Sequence, residues 1–220
     1  MYLIVVGAGP VGLKLIDIAL QDGHNVTLIE ADSDHAQEAA KEYDCLVLNA
    51  HISDGKLLEQ AEMHRADALI ATTQSDPDNL MAMFIGEENG VPSLVSVVNN
   101  QRHDKLFERL GARVLANPEN IIAEYLYADI IRPNLKDLVK LPEGAEVFDI
   151  TVGESSPLIG HSLSEIGKSD KLPRNLLIVM LKRDDHTSVP TGKTKIEAND
   201  ELVVFSQEKV GEKILKTFTG

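Results

Sequence analysis

The chain opens on an unbroken apolar run, Tyr2–Val6. Similar short runs rich in β-branched residues return at Val26–Glu30, Cys45–Asn49, Ala68–Ala71, Leu94–Val98 and Arg113–Leu115. Runs this short and this rich in β-branched residues predict strands. Between them, apolar positions repeat with the 3.6-residue period of helices of about 9–13 residues. In the first of these helices Val11, Leu15, Ile18 and Ala19 fall on one face. The helix after the fourth strand carries its own punctuation: Asp76 as N-cap, Pro77 at the first helical position, and Gly90 as a stop after Asn89. Strands that alternate with helices need right-handed crossovers. The pattern therefore predicts a parallel sheet with helices on both faces, a doubly wound, Rossmann-like α/β domain.

After the sixth run, Asn117-Pro118-Glu119 reads as another N-cap and first turn, opening a helix over Pro118–Ile131. Its apolar positions, Ile121, Ile122, Tyr125, Leu126, Ile130 and Ile131, cover more of the helix than packing on one sheet requires. Either it is a linker helix lying on its own domain, or its second face is buried on a neighbouring subunit. Arg132-Pro133-Asn134 marks a seam, repeated at Pro142, and divides the chain into domains 1–135 and 136–220. In the second domain Glu146–Val152, Leu176–Lys182, Thr187–Val189 and Glu201–Phe205 predict strands. Asp184-Asp185 predicts a hairpin turn and Glu208–Phe218 a terminal helix, so this half is a small α+β unit.

Charge sharpens the division. Of the 220 residues, 1–135 hold 9 basic and 21 acidic side chains, while 136–220 hold 12 and 14; the whole chain carries −14. A balance of that sign argues against nucleic acid as a partner, because such binders need a cationic footprint. The single cysteine, Cys45, allows no internal disulfide and no Cys-based zinc site. The longest wholly apolar run, Leu176–Leu181, falls far short of the ~20 residues of a membrane span, and no basic stretch precedes the first apolar run. The expectation is a soluble intracellular protein.

Candidate chemistry concentrates at the first strand–helix junction. Gly7-Ala8-Gly9-Pro10-Val11-Gly12 is a G-x-G-x-x-G placed after strand one and at the start of helix one, and the acid Glu30 closes strand two. Gly7 permits the tight turn, Gly9 lets a pyrophosphate approach the backbone, and Gly12 lets the helix pack closely on the sheet. Phosphates would rest on free amides at the positive end of the helix dipole. Lys14 is the only basic residue among the first 40, so this anion site must be built from main-chain dipoles. The Glu30 carboxylate suits the two ribose hydroxyls of an adenosine and would repel a 2′-phosphate, which leaves NAD, ATP and ADP open. Next to it, Ala31 and Asp32 complete the strand-two edge; Asp32 either assists at the ribose or, the favoured reading, caps the next helix. A ligand in a doubly wound sheet lies across the carboxyl ends of the strands. That puts Asn49, Ala50 and His51 near the adenine, and Thr72, Thr73 and Gln74 near the phosphates or a second nucleoside. His51 is either a ligand contact or a plain loop residue.

Other chemistries lack their signatures. The seven histidines form no His-x-x-x-His pair or cluster with carboxylates at ligand spacing, and there is no Gly-x-Ser-x-Gly. Thr191-Gly192-Lys193-Thr194 mimics the end of a phosphate loop, but its required first glycine falls at Thr187, so it is a turn. The second domain offers no acid–base constellation, which favours a nucleotide sensor, not an enzyme. The competing readings are an NAD-dependent oxidoreductase and a sensing subunit for some other membrane transporter.

Taken together, the chain resembles the RCK family, the KTN plus TrkA-C proteins. The resemblance rests on Gly7–Gly12, Glu30, Ala66–Asp76 with Asn79, Val98-Asn99-Asn100, Leu106-Phe107 before Leu110-Gly111-Ala112, Ser156–Leu163 and Ile196–Leu202. It implies a cytoplasmic subunit, peripheral to the inner face of the cell membrane, that binds NAD(H) or ATP/ADP and gates a Trk/Ktr-type potassium transporter. The carried-over nucleotide contacts are Gly7, Ala8, Gly9, Pro10, Val11, Glu30, Thr73 and Gln74, with Asn49–His51 beside the adenine. It also implies a homo-oligomer, dimers assembling into a ring of eight, with Pro118–Ile131 similar to the family's crossover helix. Two positions depart from the family pattern: Val97 stands where Arg is common, and Ala50-His51 replaces Gly-Asp.

Overall fold

In the computed structural model, which describes residues 1–55, 57–131, 135–169 and 171–220, the chain forms two compact units, Met1–Ile121 and Ile122–Gly220. The seam expected at Arg132-Pro133-Asn134 lies outside the described residues.

The first unit is built on β1 (Tyr2–Val6), β2 (Asn25–Glu30), β3 (Leu46–Asn49), β4 (Ala68–Ala71), β5 (Leu94–Val98) and β6 (Arg113–Ala116). All pairings are parallel, in the order β3-β2-β1-β4-β5-β6. The helices between them are α1 (Pro10–Gln21), α2 (Ser33–Glu42), α3 (Leu57–Gln60), α4 (Asp76–Glu88) and α5 (Asp104–Arg109). Successive strand residues serve opposite faces. Leu3, Val5, Leu28 and Ile70 join Ile16, Ala19 and Ala39 in one core layer, while Ile4, Val6, Leu69 and Ala71 join Met63, Ala82, Met83 and Phe107 in the other. The doubly wound architecture is as the sequence pattern requires.

Three local expectations are corrected. The buried face of α1 is Gly12–Ile16–Ala19, whereas Val11 and Ile18 are exposed. A Cβ on Gly12 would stand 2.0 Å from the Gly7 carbonyl oxygen, so Gly12 must face the sheet and Ile16 and Ala19 follow it at helical spacing. The cap of α4 is Ser75, whose hydroxyl accepts from the Asp78 amide; Asp76 is the first helical residue and turns its carboxylate elsewhere. Asn117 sits at φ 49°, in the left-handed region and not the extended conformation of an N-cap, before α6 (Pro118–Ile131) begins.

From Ile122 on, α6 belongs to the second unit. There it is followed by β7 (Leu135–Lys140), β8 (Glu146–Thr151), α7 (Leu163–Lys168), β9 (Leu176–Arg183), β10 (His186–Ser188), β11 (Glu201–Ser206) and α8 (Glu212–Thr219). The strands form an antiparallel sheet in the order β10-β9-β11-β8-β7 around a core of Phe148, Ile150, Val152, Ile196, Leu202, Val204 and Phe218. Asp184-Asp185 is the expected two-residue hairpin loop, with Arg183 paired to His186 and Asp184 at φ 53°. Thr191 and Thr194 close a turn by reciprocal bonds, Thr194 N–H to the Thr191 carbonyl and Thr191 N–H to the Thr194 hydroxyl. The terminal helix starts later than expected, after Gly211, and β7 is a strand the sequence pattern did not announce. On α6, Lys140 pairs with Glu124 and the Tyr125 hydroxyl donates to Asp137, which fix the helix to β7. Among the described residues, no helix is long and apolar enough to cross a membrane.

Candidate functional site

In the strand order, connections run one way from β1 through β2 to β3, and the other way from β4 through β5 to β6. A sheet wound like this leaves a crevice at the carboxyl ends of β1 and β4, and both candidate segments end there: Gly7-Ala8-Gly9 after β1 and Thr72-Thr73-Gln74 after β4. Gly7 adopts φ 103°, and a Cβ there would press on Thr73 at 3.0 Å. Gly9 precedes α1 in extended conformation, without a capping side chain, and a Cβ there would meet nothing within 4 Å. Pro10 follows at the first helical position and has no amide to offer. The first intrahelical bond runs from Leu13 N–H to the Gly9 carbonyl, so the Val11 and Gly12 amides stand ahead of the helix's own ladder. No acidic residue occupies this first turn. The result is a bare helix N-terminus with open space over Gly9, which fits a phosphate group.

Glu30 ends β2 beside this loop. Its carboxylate accepts the Ala8 amide on Oε2 at 2.5 Å and the Asp32 amide on Oε1 at 2.7 Å. The N–H of Ala8, one of the carried-over nucleotide contacts, is thus held by Glu30. Each carboxylate oxygen keeps further acceptor capacity, so Glu30 can still take ribose hydroxyls while it braces the turn. Asp32 caps α2, accepting from the amides of Asp34 at 2.9 Å and His35 at 3.0 Å, the alternative favoured from sequence. Those amide bonds hold its carboxyl below the usual range, the His35 amide first. Ala31 is exposed at the turn, and Asn49 pins it by donating to the carbonyls of Glu30 (2.9 Å) and Ala31 (3.1 Å). The Ala50 amide also donates to the Glu30 carbonyl. His51 is exposed, with Nδ1 2.8 Å from the Ser53 hydroxyl and Nε2 3.3 Å from Asp78.

On the β4 side, Thr72 is buried and its hydroxyl is directed at the carbonyls of Val6 (3.1 Å) and Gly7 (3.2 Å), so it supports the glycine turn from behind. Thr73 donates both its amide and its hydroxyl to Asn79 Oδ1, at 3.1 and 2.7 Å. Asn79, fully buried, returns its amide hydrogens to the carbonyls of Thr73 and Val97. Gln74 is exposed at the rim. Below it, the Asp76 carboxylate receives the amides of Asn99 (2.7 Å) and Asn100 (3.0 Å), the Asn99 side chain (3.0 Å) and His103 Nδ1 (2.7 Å). Burial pushes the Asp76 carboxyl up, but these donors more than offset it and hold it below the ordinary carboxylate range. Val97 is buried on β5.

Gly7–Gly12, Glu30, Thr73 and Gln74 therefore share the crevice mouth, Thr72 lies buried behind the glycine turn, and Asn49–His51 flank the mouth beyond β2. Composition and spacing missed the network that sets the β4 side: Asp76 with Asn99, Asn100 and His103, and Ser75 as the cap. Ser75 with an acid three residues later, at Asp78, is a capping signature that points to it. Among the described residues, no group of three or more His, Cys, Asp or Glu side chains could hold a metal ion.

Comparison with known proteins places this geometry. The TrkA-N domain model matches residues 3–118 and the TrkA-C domain model residues 147–219. The chain is 31% identical over 221 residues to a Trk system potassium uptake protein TrkA homolog of Methanothermobacter thermautotrophicus, covering 100% of both chains. It is 27% identical over 225 residues to a TrkA homolog of Pyrococcus abyssi, covering 98% of this chain and 96% of the relative. Among solved structures, the GsuK channel bound to NAD is similar with a TM-score of 0.64 at 20% identity, over 100% of this chain and 39% of that one. The GsuK RCK domain gives 0.62 at 18%, over 98% of this chain and 46% of that one. The chain spans less than half of these solved chains, with which it shares the fold. It belongs to the TrkA family, with one TrkA-N and one TrkA-C domain.

Proposed function

We infer that the first unit binds an adenine nucleotide, NAD(H) or ATP/ADP, at the carboxyl ends of β1 and β4, and that the protein is a regulatory subunit of membrane potassium uptake. The observation that carries the nucleotide reading is the pairing of a bare α1 N-terminus, open above Gly9, with a carboxylate on the adjoining strand end. The Val11 and Gly12 amides would take the phosphates, Glu30 the ribose, Asn49–His51 the adenine wall, and Thr73 and Gln74 the far side. The relatives' designation as Trk system potassium uptake proteins supports the transport role, and the NAD held by the GsuK channel supports the ligand class.

In this reading the protein is not an enzyme. It acts from the cytoplasmic face of the membrane on a Trk/Ktr-type transporter, as a homo-oligomer of dimers forming a ring of eight. The exposed apolar side chains of α6, among them Ile122, Leu126 and Ile130 at 59, 59 and 76% exposure, support a helix buried against another copy. A nucleotide shifts such an assembly only by preferring one of its arrangements. A coupling of ~1–3 kcal/mol per site, summed over several copies, reaches the roughly 5.5 kcal/mol needed to move a gate from mostly closed to mostly open. Calorimetric titration of the purified chain with NADH, NAD, ATP and ADP tests the premise: saturable heat with at least one supports it, and no heat with any of them overturns it.

A further inference from the structure

His51 follows β3 at one edge of the parallel sheet, and Asp78 lies in the first turn of α4, which follows β4. Strands β2 and β1 stand between, so three inter-strand steps, about 14 Å in all, separate β3 from β4. Yet His51 Nε2 lies 3.3 Å from Asp78 Oδ1. Loop and helix reach toward each other past the carboxyl ends of β2 and β1, the ends that carry Glu30 and the Gly7 turn. The imidazole is also oriented. Ser53 meets Nδ1 with its hydroxyl at 2.8 Å and its amide at 3.3 Å, which leaves Nε2 facing Asp78. Ile52, 3% exposed, anchors the loop in the core layer that holds Ala82 and Met83 of α4.

We propose that His51 is a positioning residue that clasps the loop after β3 to the first turn of α4 through Asp78, and so couples the Glu30 side of the cleft to the Thr73–Gln74 side. The proposal rests on the nucleotide reading above. A nucleotide bound between the two sides is gripped more firmly when they are tied together, and its arrival is transmitted to α4.

The test is NADH and ATP titration of the full chain as wild type, His51→Ala, Asp78→Ala, the double variant, and His51→Gln, whose amide can still donate to Asp78. Each alanine variant is expected to weaken binding about five-fold, the double variant no further than either single, and His51→Gln to stay near wild type. Melting curves without nucleotide check that each variant is folded; both side chains are substantially exposed, at 52 and 35%. A loss with His51→Ala but none with Asp78→Ala leaves His51 a part of the adenine wall alone and overturns the clasp. Unchanged affinity in both singles, or independent losses that multiply in the double variant, overturns it as well. If the wild type binds neither probe, the nucleotide reading itself falls and the clasp with it, an outcome distinct from all of these.

Discussion

Glu30 accepts the backbone amide of Ala8 at 2.5 Å, so the acid that closes β2 and the turn that closes β1 are one hydrogen-bonded unit. A carboxylate in this position does two things at once. It shapes the glycine turn and, in the proposed function, presents its remaining lone pairs to a sugar.

Glu30→Ala removes both. Nucleotide affinity is expected to fall at least about ten-fold, in keeping with the loss of charged hydrogen bonds worth about 1.5–3 kcal/mol. The fold should survive, because the turn is also held by Thr72. Calorimetry against the melting temperature separates the two effects; wild-type affinity in the variant contradicts the role of Glu30.

The second and third glycines of the motif, Gly9 and Gly12, predict opposite outcomes. Gly12→Ala drives a methyl to 2.0 Å from the Gly7 carbonyl, where backbone must move, and should cost about 1–3 kcal/mol of stability. Gly9→Ala meets nothing within 4 Å and has no positive φ, so unfolding in urea should be little changed. Its methyl instead enters the space claimed for phosphate, and nucleotide binding should weaken. Equal effects of the two substitutions on stability would contradict this geometry.

Asp76 links folding to acidity. Its folded pKa is depressed, so its contribution is complete above the unfolded value near ~3.9 and is lost as pH falls through the lower, folded value. Asp76→Asn should therefore be destabilised near neutrality, by about 1.5–3 kcal/mol for the lost charged acceptor. The gap from wild type should narrow below about pH 4. Denaturant unfolding at a series of pH values reads both.

In the second unit, Arg183 forks onto both oxygens of Asp200, at 2.7 and 2.9 Å, while also meeting Glu197. Asp200 is fully buried and Arg183 about one-third exposed. Arg183→Ala leaves the buried Asp200 carboxylate with the Glu197 amide but without its cation, and is expected to destabilise this unit by about 1–3 kcal/mol. Nucleotide titrations should be unmoved.

What the sequence made legible was whatever one local signal decides. Six short β-branched runs became six parallel strands: β1, β2, β4 and β5 are buried, because a run apolar on both faces has few alternatives, while the edge strands β3 and β6 are half exposed. The glycine motif and Glu30 landed together, because strand ends and helix starts fix them. The failures have physical causes. The rotation of α1 is set by Gly12 against a carbonyl and not by its larger apolar side chains. Asp76 and Ser75 are both good caps, and the choice between them is made by amides at Asn99 and Asn100, remote in sequence. Strand β7 hides because it is half exposed and carries a bulge at Asp137, with φ 48°, that breaks its alternation. The His51–Asp78 contact spans elements whose neighbourhood only the sheet order reveals.

The crevice gathers anion-seeking main-chain dipoles while Glu30, Asp32, Asp76 and Asp78 surround it with negative side chains, and the one lysine of α1, Lys14, is tied to Asp17. Dissolved ions act on such a place in reverse of a lysine-lined one. Screening weakens the repulsion felt by an arriving polyphosphate more than it weakens short contacts with amides. Concentrated salt of any simple kind should therefore tighten the grip, most of all for the most highly charged guest.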